Sequence, residues 1–150
     1  MKRILCFILM SAMLLCVIPV QSSAAERNLE TIYFEDGSYM TVEVITKSTR
    51  ASGSVSGSKP YTYYNSNGSA QWKATLSGSF TYTGSSATCT SSSVDVTIYD
   101  SNWHIKSKSS SKSGNTASAS VTMEKRQLGL TVTSKSVSLS LSCDKNGNLS

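Results

Sequence analysis

The sequence predicts an all-β chain built as an antiparallel β-sandwich, immunoglobulin-like or similar. Three observations point there. Apolar and polar residues alternate with a period of two over most of the chain, no stretch repeats apolar residues at the three-and-four spacing of a helix, and turn residues recur at short intervals. The chain has 150 residues with 14 Lys+Arg, 9 Asp+Glu and one His, a formal charge of +5. That length fits one domain of ordinary size and excludes a multidomain enzyme. From residue 26 onward there are 29 Ser and 15 Thr, yet enough apolar residues remain for one modest core.

The first element is an export signal over residues 1–25. Met1-Lys2-Arg3 is basic, Ile4 to Val20 is an almost unbroken apolar run, and Ser23-Ala24-Ala25 offers small residues for cleavage before Glu26. A membrane anchor is the other reading, but the run is short and broken by Ser11 and Pro19. Cleavage removes Cys6, Cys16, Lys2 and Arg3, so the secreted chain carries 12 bases and 9 acids, net +3, and no stable membrane span. Cys89 and Cys143 then remain as a pair. In an exported chain they are expected to form one long-loop disulfide, two unpaired thiols being the alternative.

Residues 26–46 are expected to form an N-terminal β-hairpin around Asp36-Gly37-Ser38. A three-residue loop would pair Phe34 with Met40 and Ile32 with Val42 on one apolar face. Residues 47–58, rich in Ser, Thr and Gly, read as a flexible linker, with the sandwich domain over 59–150. Charge changes across that linker. Residues 26–50 hold five acids and three bases, net −2, whereas 51–150 hold nine bases and four acids, net +5. An acidic pro-segment cut near Arg50 is one interpretation, a hairpin that stays docked the other.

Trp72, Ala74, Leu76, Gly78, Phe80 and Tyr82 share one parity, and Lys73, Thr75, Ser77, Ser79 and Thr81 the other, the pattern of a half-buried strand. Val94, Val96 and Ile98 are expected to face inward, as are Trp103 with Ile105, and then Ala117, Ala119, Val121 and Met123. Turns fall at Gly84-Ser85-Ser86, Asp100-Ser101-Asn102 and Ser113-Gly114-Asn115. Leu128, Leu130 and Val132 are out of phase with Val137, Leu139, Leu141 and Cys143, so a bulge or bend is expected near Ser134-Lys135-Ser136, as where a strand changes sheets. The order Cys89, Trp103, Cys143 is spaced like the Cys…Trp…Cys of immunoglobulin domains, but Leu141 stands where a corner tyrosine would be.

Several segments form a set: Glu30-Thr31-Ile32-Tyr33-Phe34-Glu35-Asp36-Gly37-Ser38, Trp72-Lys73-Ala74-Thr75-Leu76, Tyr82-Thr83-Gly84-Ser85, Thr97-Ile98-Tyr99-Asp100-Ser101 and Lys112-Ser113-Gly114-Asn115. This set resembles small exported proteins of Gram-positive, gut-type bacteria that are grouped only as a domain of unknown function. The resemblance implies a bacterial source and secretion, and carries over no catalytic residue.

Chemistry-bearing residues are few. His104 is the single candidate base for a serine or cysteine nucleophile, and it sits on the polar side of its strand. Past the linker the carboxylates are Asp95, Asp100, Glu124 and Asp144, two of them in turn sequences, so a glycosidase pair is poorly supplied. One His and two distant Cys make no zinc site, Asp144 to Asn148 lacks the terminal acid of a calcium loop, and no glycine motif cradles a phosphate. No cofactor or metal is expected. Lys106, Lys108 and Lys112 form the basic cluster, suited either to an anionic surface or to guarding a sheet edge; without interleaved aromatics it does not suggest nucleic acid. Tyr61, Tyr63 and Tyr64 are the candidate ligand-binding residues, amphipathic rings suited to sugar faces or a partner protein, with ordinary core packing as the other reading. The expectation is therefore a secreted, non-catalytic binding or interaction module for an extracellular or cell-wall glycan or a protein partner. A toxin-like or antimicrobial effector released from the acidic segment comes second, and a hydrolase using His104 third.

Overall fold

The computed structural model describes residues 29–47 and 53–150. The expected export signal, Cys6, Cys16, Glu26 and the cleavage point at Arg50 lie outside the described residues. Nine strands are present: β1 (Leu29–Tyr33), β2 (Tyr39–Glu43), β3 (Ile45–Lys47), β4 (Ser54–Tyr64), β5 (Ala70–Tyr82), β6 (Ala87–Ile98), β7 (Trp103–Ser113), β8 (Thr116–Gln127) and β9 (Leu130–Ser142). They form the predicted antiparallel sandwich. One sheet runs β1-β2-β4-β5-β6, with β3 also on β4, and the other runs β7-β8-β9. Apart from β2 and β3, which lie end to end along β4, strands adjacent in sequence are adjacent in each sheet, so both are meanders. Of the two alternatives, immunoglobulin-like or similar, the connectivity fits the second, because an immunoglobulin fold interleaves its strands between the two sheets.

Period-two alternation builds the core where it was legible. Trp72, Ala74, Leu76 and Phe80 of β5 are fully buried, and Ala117, Val121 and Met123 of β8 oppose them, with Leu139, Leu141 and Cys143 alongside. Gly78 lets the sheets approach: a Cβ there would sit 2.9 Å from the Phe80 ring and 3.2 Å from the Ala117 Cβ.

Four expectations change. The hairpin register moves by one pair, to Ile32↔Met40 and Tyr33↔Tyr39, with the faces kept. The Phe34 amide donates to Ser38 O and the Gly37 amide to Phe34 O, so the loop is Glu35-Asp36-Gly37 with Gly37 in the left-handed region. Second, the hairpin is no separate unit and residues 47–58 are not a linker throughout. β2 pairs directly with β4, which begins at Ser54, and Val55 is buried while Leu149 covers Gly57. A strand with one covered face needs an apolar or small residue only at alternate positions, so Ser54, Ser56 and Ser58 fit its outer face. Third, Ile98 and Ile105 are exposed rather than inward, Ile105 beside a bulge on the edge strand β7. Fourth, β9 stays in one sheet. The phase error is absorbed opposite Lys125 and Arg126, which pair with Thr133 and Thr131, so Val132 bulges out.

The two sheets meet along β6 and β7 through side chains. Lys108 Nζ donates to Val94 O (3.3 Å), Ser110 Oγ to Ser92 O (3.3 Å) and Lys112 Nζ to Thr90 O. Alternate residues of β7 thus cap alternate carbonyls of β6. At the other side of the sandwich, Lys135 of β9 reaches the hairpin, 2.8 Å from Asp36 Oδ2 and 4.7 Å from the Phe34 ring centroid. That ammonium, with the Ser38 hydroxyl and amide, holds the Asp36 carboxyl down to about 2.

Candidate functional site

Among the tyrosines singled out from sequence, two are core. Tyr61 and Tyr63 are 7% and 4% exposed, on the inner face of β4. The Tyr61 hydroxyl accepts from Ser140 N and donates to Ser140 O, both at 3.4 Å, and burial raises its pKa. The Tyr63 ring stacks on Trp72 at 5.3 Å and meets Trp103 and Phe34 edge-on. As ligand contacts these two are corrected, because β2 and β9 supply the cover that turns their face inward.

Tyr64 alternates to the outer face, and two tyrosines that the sequence reading passed over join it. Tyr33 of β1 pairs with Tyr39 of β2, and Tyr39 with Tyr64 of β4. Tyr39 and Tyr64 stack at 4.8 Å with 9° between planes; Tyr33 lies 5.9 Å from Tyr39 at 42° and is 76% exposed. The result is a ladder of three rings across three strands on the outer face. Beside it the turns at 35–38 and 65–69 come together. Gly37 lies against Ser66, and Gly68 against the Tyr39 hydroxyl. Asn65 Oδ1 accepts from the Asn67 and Ser69 amides, which fixes the second turn. The signal available in the sequence was the placement of Tyr33 and Tyr39 at equal distances from the hairpin turn.

The remaining outer surface is hydroxylated. On β7, β8 and β9 the rows Ser107-Thr122-Ser136, Ser109-Ser120-Ser138, Ser111-Ser118-Ser140 and Ser113-Thr116-Ser142 are in register, three strands by four rows with no charge among them. A shallow depression of about 370 Å³ lies over its middle. On the other sheet Ser56-Ser79-Ser91 and Ser58-Ser77-Ser93 align likewise over about 420 Å³.

The lysines do not make one anionic-surface patch. Lys108 and Lys112 direct their ammonium groups onto β6 carbonyls, Lys108 also lying 3.9 Å from Asp95, and Lys106 stands apart at the β7 bulge. Edge protection describes their role better. His104 is exposed on β7 opposite Glu124, whose carboxylate is engaged by Arg126 and by Thr131 Oγ1 at 3.4 Å. Among the described residues no hydroxyl or thiol hydrogen-bonds His104, and no three His, Cys, Asp or Glu converge. Asp144 is occupied with bracing the tail: Asn148 side-chain and backbone N–H groups hold its pKa low.

No disulfide is seen between Cys89 and Cys143 in the structure. Cys89 and Cys143 are buried thiols, donating to Ser91 O (3.2 Å) and Asp144 O (3.3 Å), and burial raises both pKa values. They nonetheless flank the same turn: the Cys89 amide donates to Gly114 O and the Cys143 amide to Asn115 O.

No family model and no curated protein matches the chain. A crystal structure of a hypothetical protein from Listeria monocytogenes is similar at 18% identity, covering 82% of this chain and 91% of that one with a TM-score of 0.46.

Proposed function

We propose that the chain is a secreted, non-catalytic β-sandwich that binds carbohydrate outside the cell on the Tyr33–Tyr39–Tyr64 ladder. The ladder is the observation that carries this reading. Tyr39 and Tyr64 stack on each other and support the exposed Tyr33 ring at the end of the row, which offers an aromatic contact to the C–H face of a sugar, while the hydroxyls of the adjoining turns offer hydrogen bonds. The basic start, apolar run and small-residue site of the first 25 residues support export.

Retention of the secreted protein on insoluble cell wall, mucin and polysaccharides tests the proposal. Retention is expected to survive high salt and to weaken roughly tenfold in Tyr39→Ala, about the worth of one lost stacking contact. Tyr61→Phe, which keeps the core ring, is expected to bind normally. Loss of retention in high salt, or indifference to Tyr39→Ala, would remove the ladder from the argument.

Export also bears on the cysteines. In an oxidising medium a disulfide oxidant is expected to take two electrons and two protons from Cys89 and Cys143, joining β6 to the end of β9. The bridge would close a loop of 54 residues (143 − 89) and stabilise by about 4 kcal/mol. Intact mass should show the secreted protein lighter by two hydrogens, and reductant should lower its melting temperature. A secreted protein with two alkylatable thiols after denaturation would refute the bridge.

A further inference from the structure

The most apolar stretch of the C-terminal half is left outside the core. At the β8–β9 turn Gln127 pairs with Leu130, leaving Leu128 and Gly129 as a two-residue loop with φ of +52° and +79°. Among the described residues Leu128 is the one non-glycine with positive φ. Asparagine or glycine is the usual occupant of such a turn, and a left-handed leucine is strained. It is also fully exposed, followed by Leu130 at 72% and Val132 at 52%. A strained, solvent-facing apolar tip has no folding rationale, so its cause lies in what it touches.

The surroundings indicate the occupant. β7 pairs with β8 only as far as Lys125, beyond which Arg126 N donates to Asn102 O and the hairpin overhangs. Residues 125–135 include Lys125, Arg126 and Lys135 and no acid. Their acidic partners stand at the base of the hairpin: Asp100 at 3.4 Å from Lys125, Glu124 on Arg126, and Asp36 at 2.8 Å from Lys135. The antiparallel register brings the 35–38 and 99–102 turns to this same end, with exposed Tyr33 and Tyr99 flanking them. Three aliphatic side chains are too small a patch for a stable protein interface, which takes roughly 1,000 Å². A lipid interface requires no shape complementarity, and an apolar tip with tyrosines behind it suits one.

We propose that the β8–β9 hairpin is a membrane-contacting finger. Leu128, Leu130 and Val132 enter the boundary between headgroups and acyl chains of a bilayer, and the ion-paired rim behind them lies at headgroup level. Tyr33 stands at this end and also belongs to the tyrosine ladder, whereas Leu128 does not, so a change at Leu128 tests the finger alone.

Protein recovered from the medium of a secreting host would be floated with vesicles of phosphatidylglycerol and phosphatidylcholine, and with phosphatidylcholine alone. It is expected to float with both, because the contact is made by apolar side chains and each cation at this end already has a carboxylate partner. Leu128→Asn should reduce that roughly tenfold, because it removes a leucine from the lipid contact. The same change should leave the melting temperature unchanged or higher, since asparagine accepts the left-handed conformation, and should leave glycan retention intact. If Leu128→Asn does not fold, Leu130→Thr carries the same expectation, threonine being well suited to a strand. Absence of flotation, or a Leu128→Asn protein that floats like the parent, overturns the proposal. So does self-association that depends on Leu128 without vesicles, which would make a second copy the occupant.

Discussion

A chain beginning at Ala51 is expected not to fold. Residues 29–47 form the edge of the larger sheet, and Met40 and Val42, 2% and 3% exposed, are part of the core. Burying two such side chains is worth about 3–6 kcal/mol together, against roughly 5–15 kcal/mol for a whole domain. Their loss would also uncover Tyr61 and Tyr63, the partners of Val42 and Met40 on β4, and free Lys135 from Asp36. The measurement is thermal unfolding of residues 51–150 against the secreted protein, followed by near-ultraviolet circular dichroism. Loss of the cooperative transition would exclude an effector released by cleavage near Arg50, since the +5 fragment would not persist as a folded body. A sharp transition within a few degrees of the parent's would restore that reading and make the hairpin dispensable.

The second large effect concerns the two tryptophans. Trp72 is fully buried, and its indole N–H has no protein partner; Trp103 Nε1 donates to Gln71 Oε1 at 3.2 Å. The rings lie 6.2 Å apart and both contact Tyr63. Trp72→Ala is expected to cost about 3–5 kcal/mol, the range for deleting a buried aromatic ring. Trp72→Phe should cost far less, about 1 kcal/mol or under, because removal of an unpaired buried donor offsets part of the lost packing. Trp103→Phe leaves Gln71 Oε1, on a residue 4% exposed, without its donor and should cost about 1–3 kcal/mol more than Trp72→Phe. Urea unfolding of the three variants gives the order. Equal losses for the two phenylalanine variants would mean that solvent reaches Trp72 Nε1.

Alternation in the sequence revealed which residues share a face, and less reliably which face is covered. On β5 and β8 the apolar sets were so complete that parity and burial coincided. On β4 the serines concealed a strand, because an outer face tolerates any small polar residue and the inner one there uses Val55 and Gly57. Tyr61 and Tyr63 were placed correctly together but with their cover unknown, since that cover comes from β2 and from β9, far away in sequence. Leu128, Leu130 and Val132 illustrate the converse: apolar residues with sound strand parity that nothing covers. The tyrosine ladder was illegible for a related reason. Tyr33 and Tyr39 are neighbours within the hairpin itself, but Tyr64 joins them only once the hairpin pairs with β4, a pairing that local pattern does not contain.

The meander connectivity has a consequence in time. Among the described strands the chain crosses from one sheet to the other once, at the short turn between β6 and β7. Most pairings are therefore hairpins between sequence neighbours, whose loop closure costs little and which form within microseconds. Sandwiches whose strands alternate between sheets must bring distant segments together before any pairing is rewarded, and they fold slowly for that reason. Here long-range order is concentrated in a single event, the closing of two preformed meanders onto each other. That shortens the interval in which unpaired strands are open to neighbouring chains during folding.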